Sequence, residues 1–144
     1  MDIEIREPRT KKEFEDYYNL RYKILRKPWN QPPGSEKDEL EDKSIHILAC
    51  SRGKVIGCSR IHFNSPEEAQ IRYMAVDQGF RSKGIGQRML KELESRAAEH
   101  DEKYIVLNAR EAAVHFYESN GYRVIGESPT MFGTVKHKKM RKDL

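Results

Sequence analysis

The residues whose types and spacing best suit chemistry form a glycine loop, Arg81-Ser82-Lys83-Gly84-Ile85-Gly86, between an apolar segment and a long amphipathic one. The first turn of a helix has free N–H groups and the positive end of the helix dipole, so it binds phosphate. Gly84 and Gly86 leave room for that approach, and Arg81 and Lys83 add positive charge. The spacing of the glycines and the residues that follow them matches neither a Walker loop nor the dinucleotide-binding fingerprint. The loop predicts a site for a phosphate-bearing ligand. The alternative is an ordinary helix start in which the two glycines allow close packing of the helix.

A second candidate segment runs from Ala112 to Tyr122 and places Phe116 and Tyr117 on one face of a predicted helix. Gly121 is a left-handed stop for that helix. A phenol with a pKa near 10 is protonated at neutral pH and can donate a proton. Helical spacing alone equally allows Tyr117 to be an aromatic core residue.

Hydrophobic periodicity predicts the elements that position these segments. Thr10 and Glu13 form a capping box, so a helix is expected between Thr10 and Pro28. Further helices are predicted over about 82–100 and near 113–121. The predicted strands lie around residues 3–5 and over 45–49, 55–63, 69–76, 104–108 and 122–126, with 137–140 as a further candidate.

The connections between these elements predict the fold class. Short turns favour antiparallel pairing, whereas a strand joined through a helix to its neighbour favours parallel pairing. The expected class is α/β (α+β), with a mixed, mostly antiparallel β-sheet flanked by helices on both faces. The chain of 144 residues fits one domain, 1–144.

Composition limits the classes of function. No apolar run is long enough for a membrane span, and the N-terminus lacks a signal-peptide profile, so a cytoplasmic protein with no membrane partner is expected. Cys50 and Cys58 are too few for a four-ligand zinc site, so no metal is expected and both are interpreted as buried or half-buried reduced thiols. The net charge of +4 raises a nucleic-acid partner as an alternative. A polyanionic cofactor explains the charge at the loop equally well, so no nucleic-acid partner is expected, and the basic tail 136–142 is interpreted as solvated.

The glycine loop and the aromatic segment together resemble the GNAT superfamily of N-acetyltransferases. That family carries Gln/Arg-x-x-Gly-x-Gly/Ala after its fourth strand and Ala-x-x-Phe-Tyr-x-x-x-Gly-Phe/Tyr further along. The resemblance covers residues 45–126 and extends to the full length. Within the family, the chain looks like the ElaA-like branch in three segments, which are residues 20–26, the Pro-rich loop after them and residues 38–46. It implies transfer of an acetyl group from acetyl-CoA to a primary amine. Dimers are common in the family, so a homodimer is one expected state.

The resemblance also implies roles for individual residues. Amides of the glycine loop hold the pyrophosphate of acetyl-CoA, and the backbone of residues 74–76 pairs with the pantetheine arm. Tyr117 protonates the departing thiolate, and the Val76 amide is an oxyanion donor. The implied cofactor-binding set is Met74, Ala75, Val76, Arg81, Ser82, Lys83, Gly84, Ile85, Gly86, Asn108 and Tyr117.

The base and the acceptor site are less defined. Many relatives place a Glu on the fourth strand, but no carboxylate occupies residues 70–76, so water-mediated proton removal is expected, with His62 and His137 as candidate relays. Arg21 and Trp29 lie where relatives frame the acceptor, with a snorkelling surface arginine as the alternative for Arg21. The acidic run 36–42 either attracts a cationic amine or is a solvated face. A non-catalytic acyl-CoA-binding module is the alternative function.

Overall fold

A computed structural model describes residues 2–144 of the chain. The strands are β1 (Ile3–Arg6), β2 (Ile45–Ser51), β3 (Lys54–Phe63), β4 (Glu68–Val76), β5 (Tyr104–Arg110), β6 (Arg123–Met131) and β7 (Val135–Asp143). The α-helices are α1 (Lys11–Leu25), α2 (Ile85–Glu99) and α3 (Val114–Ser119). None of the helices in this part of the chain is long and apolar enough to cross a membrane.

The seven strands form one sheet in the order β1-β2-β3-β4-β5-β7-β6. Every neighbouring pair is antiparallel except β4 and β5, which are parallel and joined through α2. The connection through a helix explains this pair, because parallel strands need a crossover. The predicted mixed, mostly antiparallel sheet is therefore confirmed.

Helices cover both faces of the sheet, as the sequence predicts. Alternate strand residues point to opposite faces, so Leu48 and Cys58 pack with α1, whereas Ile47 and Ile56 pack with α2. Cys50 and Cys58 are both buried free thiols in the layer beneath α1, and burial raises the pKa of the Cys58 thiol to about 12.

Local sequence fixes the start of α1. The Thr10 hydroxyl accepts a hydrogen bond from the Glu13 amide at 3.1 Å, as the capping box predicts. The Glu13 carboxylate, however, accepts from the Arg9 amide and from Arg6 rather than from the N-cap amide. The helix ends at Leu25, and a 3-10 turn over Lys27–Trp29 precedes the Pro-rich loop.

The candidate strand at 137–140 is confirmed and is longer than predicted, since β7 pairs with β5 on one side and β6 on the other. The interpretation of the basic tail 136–142 as solvated is wrong for the same reason. His137 and Met140 are buried, and Lys142 contacts Glu94 at 3.2 Å. Main-chain pairing on both edges stabilises this strand despite its charge. The helix α2 also begins at Ile85 rather than near Ser82, and β5 continues to Arg110.

Candidate active site

A cleft opens where the parallel strands β4 and β5 stop pairing. Their ladder ends at Ile71 and Leu107, although β4 continues to Val76 and β5 to Arg110. A bulge in β4 accompanies the separation, because the register with β3 shifts and Tyr73 adopts a left-handed φ of 58°. Such a φ is rare for an aromatic residue and persists only where the surrounding structure imposes it. The walls of the cleft enclose a cavity of about 140 Å³.

The unpaired edge of β4 presents main-chain polar groups to this cleft. The Asp77 amide donates to the Ile56 carbonyl on β3 at 2.7 Å. Successive residues of an extended strand direct their N–H groups to opposite sides, so the Val76 amide is directed away from β3, toward the gap. The Arg81 Nε donates to the Val76 carbonyl at 3.1 Å, which places this guanidinium at the same edge.

The glycine loop ends at the N-terminus of α2. Gly84 is the N-cap residue with a φ of 77°, and no side chain caps the helix. Nothing lies within 4 Å of a Cβ built at Gly84, so its backbone angle, rather than space, requires glycine. At Gly86 a Cβ would lie 3.3 Å from the Phe116 ring, so glycine allows α2 and α3 to approach closely. The loop therefore offers free amides beside Arg81 and Lys83, which suits a phosphate.

Tyr117 lies on α3 and lines the cleft. Its hydroxyl is 3.6 Å from the Met74 sulfur on β4, and the side chain is buried. Burial raises the pKa of the phenol to about 12, with the nearby Arg110 charge opposing the rise. The group is therefore a protonated donor at neutral pH.

His137 lies on β7 and lines the same cavity. Its Nδ1 donates to the Val135 carbonyl at 3.0 Å, since a carbonyl only accepts, and this leaves Nε2 as the unprotonated nitrogen. Burial lowers the pKa of His137 below its usual 6.5, and the positive charges of Arg110, Arg26 and Arg72 lower it further. His137 is thus neutral at pH 7 and able to accept a proton.

The other predicted acceptor-site residues divide into two groups. Trp29 lines the cleft and stacks on Phe132 at 6.2 Å between ring centroids. Arg21 and His62 are not among the lining residues. Arg21 is fully buried and pairs with Glu41 at 2.9 Å, so it is not a surface arginine, and His62 Nδ1 accepts from Arg60 at 3.1 Å.

The acidic run supplies buried counter-ions rather than a solvated face. Glu41 pairs with both Arg21 and Arg60 at 2.9 Å, and Asp38 pairs with Arg60 at 2.6 Å. Burial alone would raise the pKa of Asp38, but hydrogen bonds from Arg60 and the Leu40 amide, together with the arginine charges, lower it to about 2. These carboxylates hold the arginines that surround the Tyr73 ring, with the Arg21 guanidinium 4.2 Å from its centroid.

Asn108, at the end of the paired part of β5, also lines the cleft. Its Oδ1 accepts from the Ser128 hydroxyl at 2.6 Å. Sequence reasoning missed Arg26, Arg110 and Phe132. For Arg110 a signal existed, because it lies at the carboxyl end of a strand that precedes the aromatic segment. Arg26 and Phe132 meet only through tertiary packing.

A family model and a relative in Bacillus subtilis match the chain over most of its length. The family model described as the acetyltransferase (GNAT) family matches residues 14–122. The chain is 31% identical over 135 residues to an uncharacterized N-acetyltransferase, YjcF, of Bacillus subtilis strain 168, covering 94% of this chain and 96% of that protein.

Solved structures share the fold. An aminoglycoside 6'-N-acetyltransferase complexed with coenzyme A has a TM-score of 0.82 at 16% identity, with 99% of this chain and 97% of that chain covered. ElaA of Escherichia coli has a TM-score of 0.78 at 19% identity, with 98% of both chains covered.

Proposed function

The chain belongs to the GNAT family of acetyltransferases, and from this premise we propose that it moves an acetyl group from acetyl-CoA to a primary amine by direct attack in a ternary complex. Membership of the family makes the chain an acetyl-CoA-dependent acyltransferase. The observation that carries the proposed mechanism is the cleft itself, whose walls bring Tyr117 and His137 together beside the unpaired edge of β4. We take residues 1–144 as one acetyltransferase domain.

The residues present fit acetyl-CoA as the cosubstrate. The free amides of the α2 N-terminus, with Arg81 and Lys83, suit a pyrophosphate, and the edge formed by Met74, Ala75 and Val76 suits an amide-bearing chain that adds itself to β4. The thioester of this cosubstrate supplies an activated acetyl group. Ser82 and Ile85 belong to the same loop and its helix start, and Asn108 lines the cleft from β5.

In the proposed reaction, His137 Nε2 accepts the proton that the amine loses as its nitrogen bonds to the acetyl carbon. The Val76 amide stabilises the negative charge that develops on the carbonyl oxygen. Tyr117 donates its hydroxyl proton to the sulfur as the carbon–sulfur bond breaks. Both protons then exchange with water, so the enzyme returns to its starting state.

Thermal melting with acetyl-CoA, CoA or ATP tests the cofactor site. At 100 times its dissociation constant a ligand stabilises the native state by ~2.7 kcal/mol, so acetyl-CoA and CoA should each raise Tm by roughly 8 °C and ATP much less. Gly84→Ala should weaken this shift. Gly53→Ala is the matched control, since Gly53 has a similar φ of 79° and equally open surroundings but lies in the turn between β2 and β3 and not in the glycine loop.

Two outcomes of these measurements would contradict the proposal. If millimolar acetyl-CoA leaves Tm unchanged, the proposed cofactor site is wrong. If acetyl-CoA binds but a broad panel of amines releases no thiol, the chain is a non-catalytic acyl-CoA-binding module instead.

The pH dependence of turnover tests His137 as the base. Below the pKa of the amine, log kcat/KM rises with a slope of 1, because only the free amine reacts. The lowered pKa of His137 means that the base is neutral at pH 7 and protonates only as the pH falls below 6.5, where the slope should increase to 2. His137→Gln should keep a slope of 1 throughout and reduce kcat about 10²-fold.

His115→Gln is the control, since His115 is exposed on α3. This variant should retain the wild-type profile. A slope of 2 that persists in His137→Gln would assign the second titration to another group and remove His137 from the mechanism.

A further inference from the structure

Three arginines and one histidine line the cleft between β4 and β5, and no carboxylate of the described residues does. Arg26 lies just after α1, Arg72 lies on β4 and Arg110 ends β5. A site for a polycation needs acidic groups. Guanidinium groups instead match the oxygens of carboxylates and phosphates.

Two of these arginines have no counter-ion in the chain as described. Arg72 pairs with Asp38 at 2.9 Å. Arg26 donates only to main-chain carbonyls, those of Ser35 and Leu25, at 3.0 and 2.9 Å, and Arg110 forms no ion pair within residues 2–144. Burial lowers the pKa of Arg26 and of Arg110, which is the response of a cation desolvated without a carboxylate partner.

Aromatic rings hold both guanidinium groups in place without neutralising them. The Arg26 guanidinium lies 5.2 Å from the centroid of Phe132, and that of Arg110 lies 5.5 Å from the centroid of Trp29. Since Trp29 and Phe132 stack on each other, the two cations flank one aromatic pair. Their positive charge is therefore preorganised at the cleft.

We propose that the acetyl acceptor is an amine that carries a carboxylate or a phosphate a few bonds from its amino nitrogen, and that Arg110 and Arg26 bind this anionic group. His137 and Arg110 are register partners on β7 and β5. Such cross-strand neighbours lie about 5 Å apart, so the base and the anion-binding group are adjacent. The inference rests on the proposed function, because it specifies the acceptor of the same reaction.

Binding of the anion also improves the base. The charges of Arg110, Arg26 and Arg72 lower the pKa of His137. An anionic group among them offsets this effect, so the pKa of His137 rises when the acceptor is bound. The other titratable groups that line the cavity are Tyr73 and Tyr117, and burial raises the pKa of both phenols, so both are neutral. The pKa seen in kcat should therefore be higher than that seen in kcat/KM.

Paired acceptors test the proposal in the wild-type protein by thiol release. The pairs are β-alanine with its amide, glycine with glycinamide, and O-phosphoethanolamine with ethanolamine, and kanamycin serves as a polycation. The anionic member should have a KM lower by about 10- to 100-fold, as expected for one charge-assisted contact. The carboxylate and phosphate pairs distinguish the two sources of the anion.

Variants at Arg110 locate the contact. Arg110→Gln should raise KM for the anionic acceptor about 10- to 100-fold, leave KM for acetyl-CoA unchanged and abolish the difference within each pair, and Arg110→Lys should restore part of it. Arg123→Gln, on the exposed strand β6, is the matched control and should change neither KM. Melting curves verify that each variant is folded.

Two results would overturn this inference while leaving acetyl transfer intact. One is acetylation of the amides, ethanolamine or kanamycin as efficiently as of the anionic amines. The other is a rise in KM for acetyl-CoA alone in Arg110→Gln, which would assign the arginine to the cofactor. If thiol is released at the same rate whether or not an amine is present, acetyl-CoA is being hydrolysed, and the proposed function is wrong as well.

Discussion

Tyr117→Phe should lower kcat by about 10²- to 10³-fold while changing the dissociation constant of acetyl-CoA less than 3-fold. The substitution removes one hydroxyl from a buried ring, so it deletes the proton donor and little of the surface of the cleft. The hydroxyl contacts only the Met74 sulfur at 3.6 Å, a weak partner whose loss has little effect on stability. Steady-state thiol release at saturating substrates measures kcat, and thermal melting over a range of acetyl-CoA concentrations measures cofactor affinity.

The raised pKa of Tyr117, about 12, is compatible with this role. Desolvation taken by itself raises the pKa of any group that ionises to an anion, so it acts in the same direction on a departing thiol as on the phenol. Arg110 offsets part of the penalty for the phenolate once the proton has left. The acid should therefore remain protonated well above neutral pH, and kcat should show no decline between pH 7 and 9.

Tyr122→Phe is the matched control for the acid. Tyr122 packs against Tyr117 with 5.7 Å between ring centroids, but its hydroxyl donates to Glu94 at 2.8 Å, outside the cleft lining. This variant should lose stability and keep its kcat. If Tyr117→Phe instead loses acetyl-CoA affinity and kcat to the same degree, Tyr117 binds the cosubstrate and another group protonates the thiolate.

The glycine loop and the parallel pair were predictable because local pattern determines them. Gly84 has a left-handed φ, and the parallel pair β4 and β5 needs a crossover such as α2, although β1 and β2 are also joined through a helix and pair antiparallel. The divergence of β4 from β5 was not predicted, because the family resemblance implied only that the backbone of residues 74–76 pairs with the pantetheine arm. It depends on the bulge at Tyr73, where a non-glycine residue takes a positive φ that no sequence rule predicts.

The charged residues were harder to interpret. The sequence left both a solvated tail and a short strand open for the last segment, and main-chain hydrogen bonds to two neighbouring strands, which side-chain composition does not report, make it β7. For Arg21 and for the acidic run 36–42, the sequence offered a solvent-exposed position as one interpretation, because it does not show which charged side chains pair. Their pairing joins residues 20 positions apart in the chain, and only the folded structure brings them together.

The second large effect concerns stability. Glu41→Gln should lower the free energy of unfolding by about 3–5 kcal/mol, because it leaves two buried guanidinium groups without their shared carboxylate. The side chains of Arg21 and Arg60 are both fully buried, and Glu41 contacts each at 2.9 Å. For a chain of this length the change corresponds to a fall in Tm of roughly 10–15 °C. Urea unfolding and thermal melting both measure it.

Asp143→Asn separates this effect from the general loss of a surface charge. Asp143 pairs with Arg123 and Arg141 at the surface, where its side chain is 58% exposed, and such solvated pairs contribute little to stability. Equal destabilisation by the two substitutions would show that the buried network contributes no more than a surface pair.

Acid titration gives an independent measurement of the same network. The carboxylate of Asp38 has a pKa lowered to about 2, against about 3.9 in an unfolded chain, so its stabilising contribution is complete above pH 4 and is lost as the pH falls toward 2. Wild-type Tm should therefore decline steeply in this window. Asp38→Asn should start from a lower Tm and decline less. If the two proteins have parallel pH profiles, Asp38 is not the group whose protonation releases Arg60 and Arg72.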